Sequence, residues 1–212
     1  MIIFLWLLFI IGGFLLGNVH FASLIVRAVS GKDVCAESDD GNPGTVNTFK
    51  LCGTGWGLLC LFLDALKGFL PVLLSVLLLD AKDWPVFFVI TAPVLGHAIG
   101  IFDHMRGGKC IAVSFGVLLG LLPVSYAVIF LAVPYIIFST IIKVKPNGLR
   151  SIVTYTVFAL VAPGVDAARH LPFVALALAA VAGIVIFKHA LKLKDEMRQY
   201  RQKDIYNEKR TD

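Results

Sequence analysis

The stretch that decides the fold is MIIFLWLLFIIGGFLLG, residues Met1 to Gly17, in which no side chain is charged. Runs of about 20 apolar residues are long enough to cross a lipid bilayer, and the continuation of this run reaches Val26. No basic segment precedes it and no clear small-residue cleavage site follows it, so we do not expect a signal peptide. We expect a retained membrane span from Ile2 to Val26.

The composition of the whole chain agrees with a membrane protein. Of its 212 residues, 58% are hydrophobic and 16% are charged, whereas soluble globular domains carry about 25% charged residues. Most of the formal charge of +5 lies in the tail after Phe187, where it fits anionic lipid headgroups better than nucleic acid. The composition therefore excludes a soluble domain, and no nucleic-acid partner is expected.

The apolar segments predict an all-α integral membrane protein with about seven transmembrane helices. The expected spans are Ile2–Val26, Trp56–Leu79, Trp84–Phe102, a short one from Ile111 to Pro123, Val124–Ile142, and two within Ser151–Phe187 that separate at APGVDAARH. A polar loop from Val29 to about Gly55 follows the first span. Residues 1–187 would form the membrane domain, and residues 188–212 a charged cytosolic tail, solvated or interfacial, with helical charge spacing.

The basic residues orient these spans, because cytosolic loops of membrane proteins are enriched in lysine and arginine. Only Lys82 and Arg169 fall on one side of the predicted layout. The tail falls on the other side with the remaining loop cations, which are Lys32, Lys50, Arg106, Lys109, Lys143, Lys145 and Arg150. We therefore expect the N-terminus outside and the C-terminus in the cytosol.

The first candidate for a binding site is the loop GNPGTVN, Gly41 to Asn47. Two glycines and a proline favour a tight turn whose free amides can cradle an anion. The side chains of Asn42 and Asn47 can hydrogen-bond a phosphate or hydroxyl groups, and Lys50 adds positive charge. A structural turn in a surface loop is the alternative.

The second candidate is LDALKG in the second predicted span. Asp64 and Lys67 are three residues apart, so they share a helix face and can pair. Ionisable groups inside a bilayer usually line a cavity or a pathway. A structural ion pair that holds two helices together is the alternative.

The remaining candidates are two histidines and a glycine pair flanked by cations. His97 lies near the cytosolic end of the third span, just before RGGK at Arg106 to Lys109, and His189 lies at the end of the last span. A packed histidine and an interfacial anchor are the alternatives, although a histidine can titrate near neutral pH. Together these signals predict a cytosolic-facing pocket for a phosphorylated ligand with a lipid tail. The four cysteines form no CxxC pair, and no metal site is expected.

Four motifs resemble one family in order and spacing over nearly the whole chain. They are GNPGTVN, LDALKGFLP, LGHAIGIF followed by RGGK, and a closing histidine. This is the family of bacterial acyl-phosphate:glycerol-3-phosphate acyltransferases of the PlsY type, whose pattern runs GSGNPGATNVxR, LDxxKGxxP, GHxxPxFxxFKGGKGVAT and RHREN. The resemblance implies a seven-span enzyme of the bacterial cell membrane. It would transfer an acyl group from acyl phosphate to glycerol 3-phosphate and release lysophosphatidate and phosphate, without a metal ion or cofactor.

The resemblance also implies roles for individual residues. Lys109, His97 and His189 would be catalytic, and the substrate-binding residues would be Asn42, Gly44, Asn47, Lys50, Lys67, Arg106, Gly107 and Gly108. Lys109, Arg106 and loop amides would hold the donor phosphate, while Lys50 and Asn47 would hold that of the acceptor. The proton would pass to a substrate phosphate oxygen, or else to His97 or His189. Membrane lipids are the other expected contacts, and the chain is expected to act as a monomer.

This chain departs from the family pattern at several positions. Asp40 replaces the family's serine, Arg106 stands in place of a lysine, and Lys50 in place of an arginine. A carboxylate beside a phosphate site should weaken phosphate binding by like-charge repulsion. Two alternatives therefore stay open: a divergent acyltransferase with another acceptor or donor, and a non-catalytic binding or transport protein that has kept the pocket.

Overall fold

The protein is described by a computed structural model that covers the backbone of residues 1–211 and the side chains of residues 1–202. Within this range the chain is helical, and no β-strand is present. The helices are α1 (Ile2–Asn18), α2 (Phe21–Ser30), α3 (Val34–Glu37), α4 (Thr45–Cys52), α5 (Thr54–Leu78), α6 (Val86–Ile99), α7 (Ile111–Gly120), α8 (Ala127–Ile136), α9 (Asn147–Ala168) and α10 (Pro172–Thr211). A 3-10 turn covers Ile101–Asp103, and a π-helical segment, Ile137–Ile141, extends α8.

Five helical segments of the described chain are long and apolar enough to cross a membrane: Ile2–Ser30, Thr54–Leu78, Val86–Asp103, Asn147–Ala168 and Pro172–Gln202. Two shorter apolar segments, Ile111–Gly120 and Ala127–Ile141, lie between them in sequence. The ten residues of α7 extend only about 15 Å, about half the thickness of a hydrocarbon core. The helical fold class is therefore confirmed, while the count of seven crossings and the orientation of the termini stay predictions.

The first predicted span is interrupted. It was expected to run unbroken to Val26, but α1 ends at Asn18 and α2 begins at Phe21. The break frees the Val19 carbonyl to accept a hydrogen bond from Lys67 at 2.6 Å. The Asn18 side chain accepts the Ile101 backbone N–H at 2.7 Å. Polar contacts with distant segments thus replace two residues of continuous helix.

Two other boundaries differ from the expectation. The polar loop between the first two spans contains α3 and α4, and α4 begins at Thr45 inside the GNPGTVN motif. The last two spans separate at Arg169–Leu171, since α9 continues through Pro163 to Ala168. The helix α10 runs without a break past residue 187, and the division at that residue stays a prediction.

Helices α5 and α7 pack closely because each places a glycine at their contact. A Cβ atom added at Gly68 would lie 2.4 Å from the Val113 carbonyl oxygen, and one at Gly116 would lie 1.9 Å from that of Ala65. Small residues let membrane helices approach through their backbones. This approach brings the N-terminal end of α7, which follows the RGGK loop, against the helix that carries Asp64 and Lys67.

We expect Gly116→Ala to lower the melting temperature of the protein in detergent. The new methyl group has to push α5 and α7 apart, and such overpacking costs about 1–3 kcal/mol. Gly183→Ala is the matched control, because a Cβ atom there meets nothing within 4 Å. An equal loss of thermal stability in both variants, measured by intrinsic fluorescence, would contradict the close packing of α5 on α7.

Candidate active site

One cavity of about 780 Å³ opens where the α3–α4 loop, the α6–α7 loop and the starts of α7 and α9 meet α10. Its polar end is lined by residues that include Asn42, Asn47, His97, Lys109, His189 and Glu196. Its apolar wall is formed by Leu61, Ala65, Ile111, Ala112, Phe115 and Tyr135. The cavity therefore joins a charged compartment to a surface suited to a hydrocarbon chain.

Asp40 organises the first motif around itself. The Asn47 side-chain amide donates to Asp40 Oδ1 at 2.8 Å and to the Asn42 carbonyl at 2.9 Å, and the Asn42 backbone N–H donates to Asp40 Oδ1 at 3.2 Å. Gly44, the residue before α4, lies close to Asn42. A Cβ atom at Gly44 would lie 2.4 Å from the side-chain amide nitrogen of Asn42. The aspartate that replaces the family's serine thus lies in the pocket wall and holds the loop.

Lys109 reaches into the pocket between two carboxylates. Its Nζ lies 2.8 Å from Asp40 Oδ2 and 2.5 Å from Glu196 Oε1. Burial works to raise the pKa of Asp40, but the hydrogen bond and charge of Lys109 outweigh it, so the pKa lies below its ordinary value. Burial likewise works to lower the pKa of Lys109, and its two acidic partners hold that pKa above the ordinary value. An anionic ligand that binds Lys109 has to compete with both carboxylates.

The predicted pairing of Asp64 with Lys67 is confirmed. Lys67 Nζ lies 2.7 Å from Asp64 Oδ1, and both side chains are almost fully buried. The same ammonium donates to the Val19 carbonyl and contacts His97 Nδ1 at 2.8 Å. Because an ammonium group can only donate, His97 Nδ1 accepts, and a neutral His97 carries its proton on Nε2. Asp64 and His97 line the cavity, whereas Lys67 lies behind them.

The glycine pair of the RGGK loop packs against α6. A Cβ atom at Gly107 would lie 1.7 Å from the Ala98 carbonyl oxygen, and one at Gly108 would lie 2.1 Å from His97 Nε2. The Gly108 backbone N–H donates to the His97 carbonyl at 2.9 Å. The close approach that requires these glycines is therefore an approach to the protein itself, and their contact with a ligand stays a prediction.

The structure does not bring the other predicted cations to the same place. Arg106 turns away from the cavity, where its guanidinium contacts Asp33 at 2.7 Å and Asp103 at 2.9 Å. Lys50 lines the rim and lies 3.4 Å from Asp39, with both side chains largely exposed to solvent. A phosphate-binding role for Arg106 stays a prediction, although its present contacts are with carboxylates outside the cavity.

His189 is the polar side chain of the pocket that most clearly requires a partner. It is 2% exposed, it lines the cavity, and neither ring nitrogen has a hydrogen-bond partner among the described residues. A buried polar group without a partner costs about 1–3 kcal/mol. Its position points to a ligand that supplies the missing hydrogen bond.

Glu196 was not predicted as a site residue. Its Oε1 contacts Lys109, and its Oε2 accepts the Gly148 backbone N–H at the start of α9 at 2.8 Å. The mixed charges after Phe187 indicated a solvated or interfacial helix. The spacing of His189, Lys192 and Glu196, however, places all three on one face, and that periodicity was the available signal. Among residues 1–202, no three histidine, cysteine or acidic side chains converge as they would around a metal ion.

Comparison with known proteins places this arrangement in a family. The sequence profile described as "Glycerol-3-phosphate acyltransferase" matches residues 7–199. The chain belongs to the glycerol-3-phosphate acyltransferase family. It is 38% identical over 185 residues to glycerol-3-phosphate acyltransferase 2 of Bacillus cereus (strain ATCC 10987 / NRS 248), covering 87% of each chain. It is 32% identical over 194 residues to the glycerol-3-phosphate acyltransferase of Lactococcus lactis subsp. cremoris, covering 89% of this chain and 88% of that one.

Solved structures of an acyltransferase share this fold. The crystal structure of PlsY (YgiH), an integral membrane glycerol 3-phosphate acyltransferase, matches in its glycerol 3-phosphate form with a TM-score of 0.78 and 27% identity. The lysophosphatidic acid form of the same protein matches with a TM-score of 0.75 and 26% identity, and each match covers 92% of both chains. The predicted family and the integral membrane fold are therefore confirmed.

We expect Asp40→Asn to tighten the binding of inorganic phosphate about fivefold. The amide keeps an oxygen for Asn47, but it removes one negative charge from Lys109, and a partly buried charge contact is worth about 1 kcal/mol. Because the pKa of Asp40 lies below its ordinary value, the carboxylate stays charged and the gain should be present at both pH 6 and pH 8. Only when the pH falls below that lowered pKa does Asp40 become protonated, and the difference between the two proteins should then vanish.

Glu37→Gln is the matched control for this titration. Glu37 lies in α3, its carboxylate contacts Lys32 at 3.3 Å, and neither residue lines the cavity. Calorimetric phosphate affinities that rise equally in both variants would contradict a specific contact between Asp40 and Lys109.

Proposed function

We propose that this protein transfers an acyl group from acyl phosphate to the 1-hydroxyl of glycerol 3-phosphate at the bacterial plasma membrane. The products are 1-acyl-glycerol 3-phosphate, which is lysophosphatidate, and inorganic phosphate. The observation that carries the proposal is the cavity itself, which is lined by Lys109, Asn47 and His189 together with a wall of apolar side chains. The ring nitrogens of His189 have no hydrogen-bond partner among residues 1–202. The relatives' names and the glycerol 3-phosphate form of PlsY support this acceptor.

The two substrates divide the polar end of the cavity between them. Lys109 and the loop amides hold the phosphate of the donor, while Lys50 holds that of the acceptor. Asn47 joins Lys50 once its side-chain amide exchanges the Asp40 oxygen for a phosphate oxygen. The acyl chain extends along the wall that contains Ile111 and Phe115. The proposal places both substrates in the cavity of a single chain, acting as a monomer.

Acyl transfer proceeds directly between the bound substrates. The 1-hydroxyl oxygen of glycerol 3-phosphate attacks the acyl carbonyl carbon and forms the ester bond. The bond from that carbon to the phosphate oxygen breaks, and phosphate leaves with the electron pair. Lys109 stabilises the charge that grows on the leaving phosphate, and holding both substrates in one cavity supplies the proximity. Acyl phosphate is already activated, so the proposal includes no covalent enzyme intermediate, metal ion or cofactor.

The proton of the attacking hydroxyl passes to a phosphate oxygen of the substrate. His97 is poorly placed to accept it, because its Nδ1 is occupied by Lys67 and its Nε2 carries the ring proton. His97 therefore acts as a hydrogen-bond donor at the edge of the cavity. His189 has both nitrogens without a partner in the described chain, so it is the better alternative acceptor and a direct ligand of a substrate.

A second candidate function is acyl transfer to a different acceptor. The Asp40 carboxylate beside Lys109 favours it, because this carboxylate repels a phosphate and can accept a hydrogen bond from a hydroxyl or an amine. An acyl ester or amide formed with a non-phosphorylated acceptor, at a rate above that with glycerol 3-phosphate, would establish this alternative.

We expect purified protein to release phosphate from palmitoyl phosphate only when glycerol 3-phosphate is present, with lysophosphatidate formed in equal amount.

Lys109→Ala should lower turnover at least about a hundredfold, because it removes the charge at the leaving group. Lys82→Ala is the control, since Lys82 is an exposed lysine in the turn between α5 and α6. Unchanged turnover in Lys109→Ala would exclude this mechanism.

We expect His189→Leu to keep or raise the melting temperature while it lowers turnover at least about tenfold. Leucine has a similar volume and ends the cost of burying two polar atoms without partners. A histidine that served packing alone would give the reverse result, a lower melting temperature with little change in turnover. The melting temperature is measured by intrinsic fluorescence, and turnover is measured as phosphate release with both substrates present.

A further inference from the structure

Arg150 lies in the first turn of α9, and its side chain lines the cavity. Its guanidinium carbon lies 5.6 Å from the centre of the Tyr135 ring. The sequence identified Arg150 only as one of several cations on the predicted cytosolic side. In the structure its side chain can contact a ligand bound in the cavity.

Arg150 differs from Lys50 and Lys109, the other lysine or arginine residues that line the cavity, in having no acidic partner within residues 1–202. Lys109 and Arg106 each contact two carboxylates, and Lys50 and Lys67 each contact one. Within residues 1–202, no carboxylate lies within 4 Å of the Arg150 guanidinium. Its Nε is buried and has no hydrogen-bond partner in this part of the chain. A buried donor of this kind is costly unless a ligand accepts from it.

The surroundings of Arg150 indicate what kind of anion it suits. Tyr135, which the guanidinium covers, packs edge-on against Phe115 with ring centres 5.9 Å apart. Both aromatic residues belong to the apolar wall of the cavity. The guanidinium therefore lies where the charged compartment meets the hydrocarbon surface. An anion attached to an alkyl chain fits this boundary, whereas glycerol 3-phosphate has no chain to place on the wall.

We propose that Arg150 binds the phosphate of the long-chain acyl phosphate donor and thereby selects it over chain-free phosphates. A planar guanidinium can donate two parallel hydrogen bonds to phosphate oxygens, and the acyl chain then follows Tyr135 and Phe115. Lys109 lies 2.5 Å from Glu196, and Glu196 also accepts the Gly148 backbone N–H. Gly148 lies in the same turn of α9 as Arg150. The two cations thus flank one region of the cavity. This assignment rests on the proposed function.

The decisive experiment measures binding without turnover. Dodecyl phosphate has the phosphate and the alkyl chain of the donor but no reactive carbonyl, and calorimetry in lipid-free detergent reports its affinity. We expect Arg150→Gln to weaken its binding about tenfold or more, and Arg150→Lys to weaken it less, because lysine keeps the charge without the fork. Binding of glycerol 3-phosphate to the same variants should change less than about twofold.

Arg169→Gln is the matched control. Arg169 follows the other end of α9 and covers the Tyr126 ring at 5.4 Å, so its loss removes a similar cation–π contact far from the cavity. We expect this variant to bind dodecyl phosphate as the wild type does. Melting temperatures of all variants verify that each remains folded.

Two outcomes would overturn the assignment. Unchanged dodecyl phosphate affinity in Arg150→Gln would mean that Arg150 serves the membrane surface, where lipid headgroups supply the phosphate. An equal loss of glycerol 3-phosphate binding would mean a general anion contact and not a donor site.

The kinetic measurement separates this inference from the proposed function. With palmitoyl phosphate, Arg150→Gln should raise the KM of the donor about tenfold while the KM of glycerol 3-phosphate stays within about twofold. If the wild type turns over neither substrate but Arg150→Gln still weakens dodecyl phosphate binding, the proposed function fails and the binding assignment stands.

Discussion

Burying one ammonium group inside the helix bundle determines the positions of three separate segments. Lys67 contacts Asp64 on its own helix, the Val19 carbonyl at the break between α1 and α2, and His97 on α6. Removing one partner of a buried ion pair costs about 3–5 kcal/mol, so the break and the ring orientation of His97 are tightly coupled. Gly108 then packs directly on His97 Nε2. The loop that presents Lys109 is thereby held against this buried charge.

The pocket itself depends on a second, more exposed charge cluster. Lys109 connects Asp40 of the first motif to Glu196 of α10, and Glu196 continues the connection to the start of α9. Three distant parts of the chain therefore meet at one ammonium group, and Glu196 attaches the start of α9 as a fourth. The two carboxylates fix the position of the Lys109 side chain, but they also lower its affinity for a phosphate because they compete for the same ammonium group. Arg150, which has no such competitor among the described residues, complements it.

The sequence allowed a good prediction of the helices and of the motif order, because both follow from local patterns. Apolar run length located the spans, and the three-residue spacing of Asp64 and Lys67 predicted their pairing. The contacts that the sequence did not predict are those whose partner lies far along the chain. The break at Val19 requires Lys67, 48 residues away, and Arg106 is drawn to Asp33, 73 residues away. Glu196 meets Lys109 across 87 residues, and no periodicity encodes such choices among competing ion pairs.

We propose that one cavity holds donor and acceptor together and that the acyl group passes between them directly. Initial rates of phosphate release, measured with the purified protein over a matrix of palmitoyl phosphate and glycerol 3-phosphate concentrations, test it most directly. Direct transfer within a ternary complex predicts double-reciprocal lines that intersect. Parallel lines, the pattern of an acyl-enzyme that forms before the acceptor binds, would exclude direct transfer.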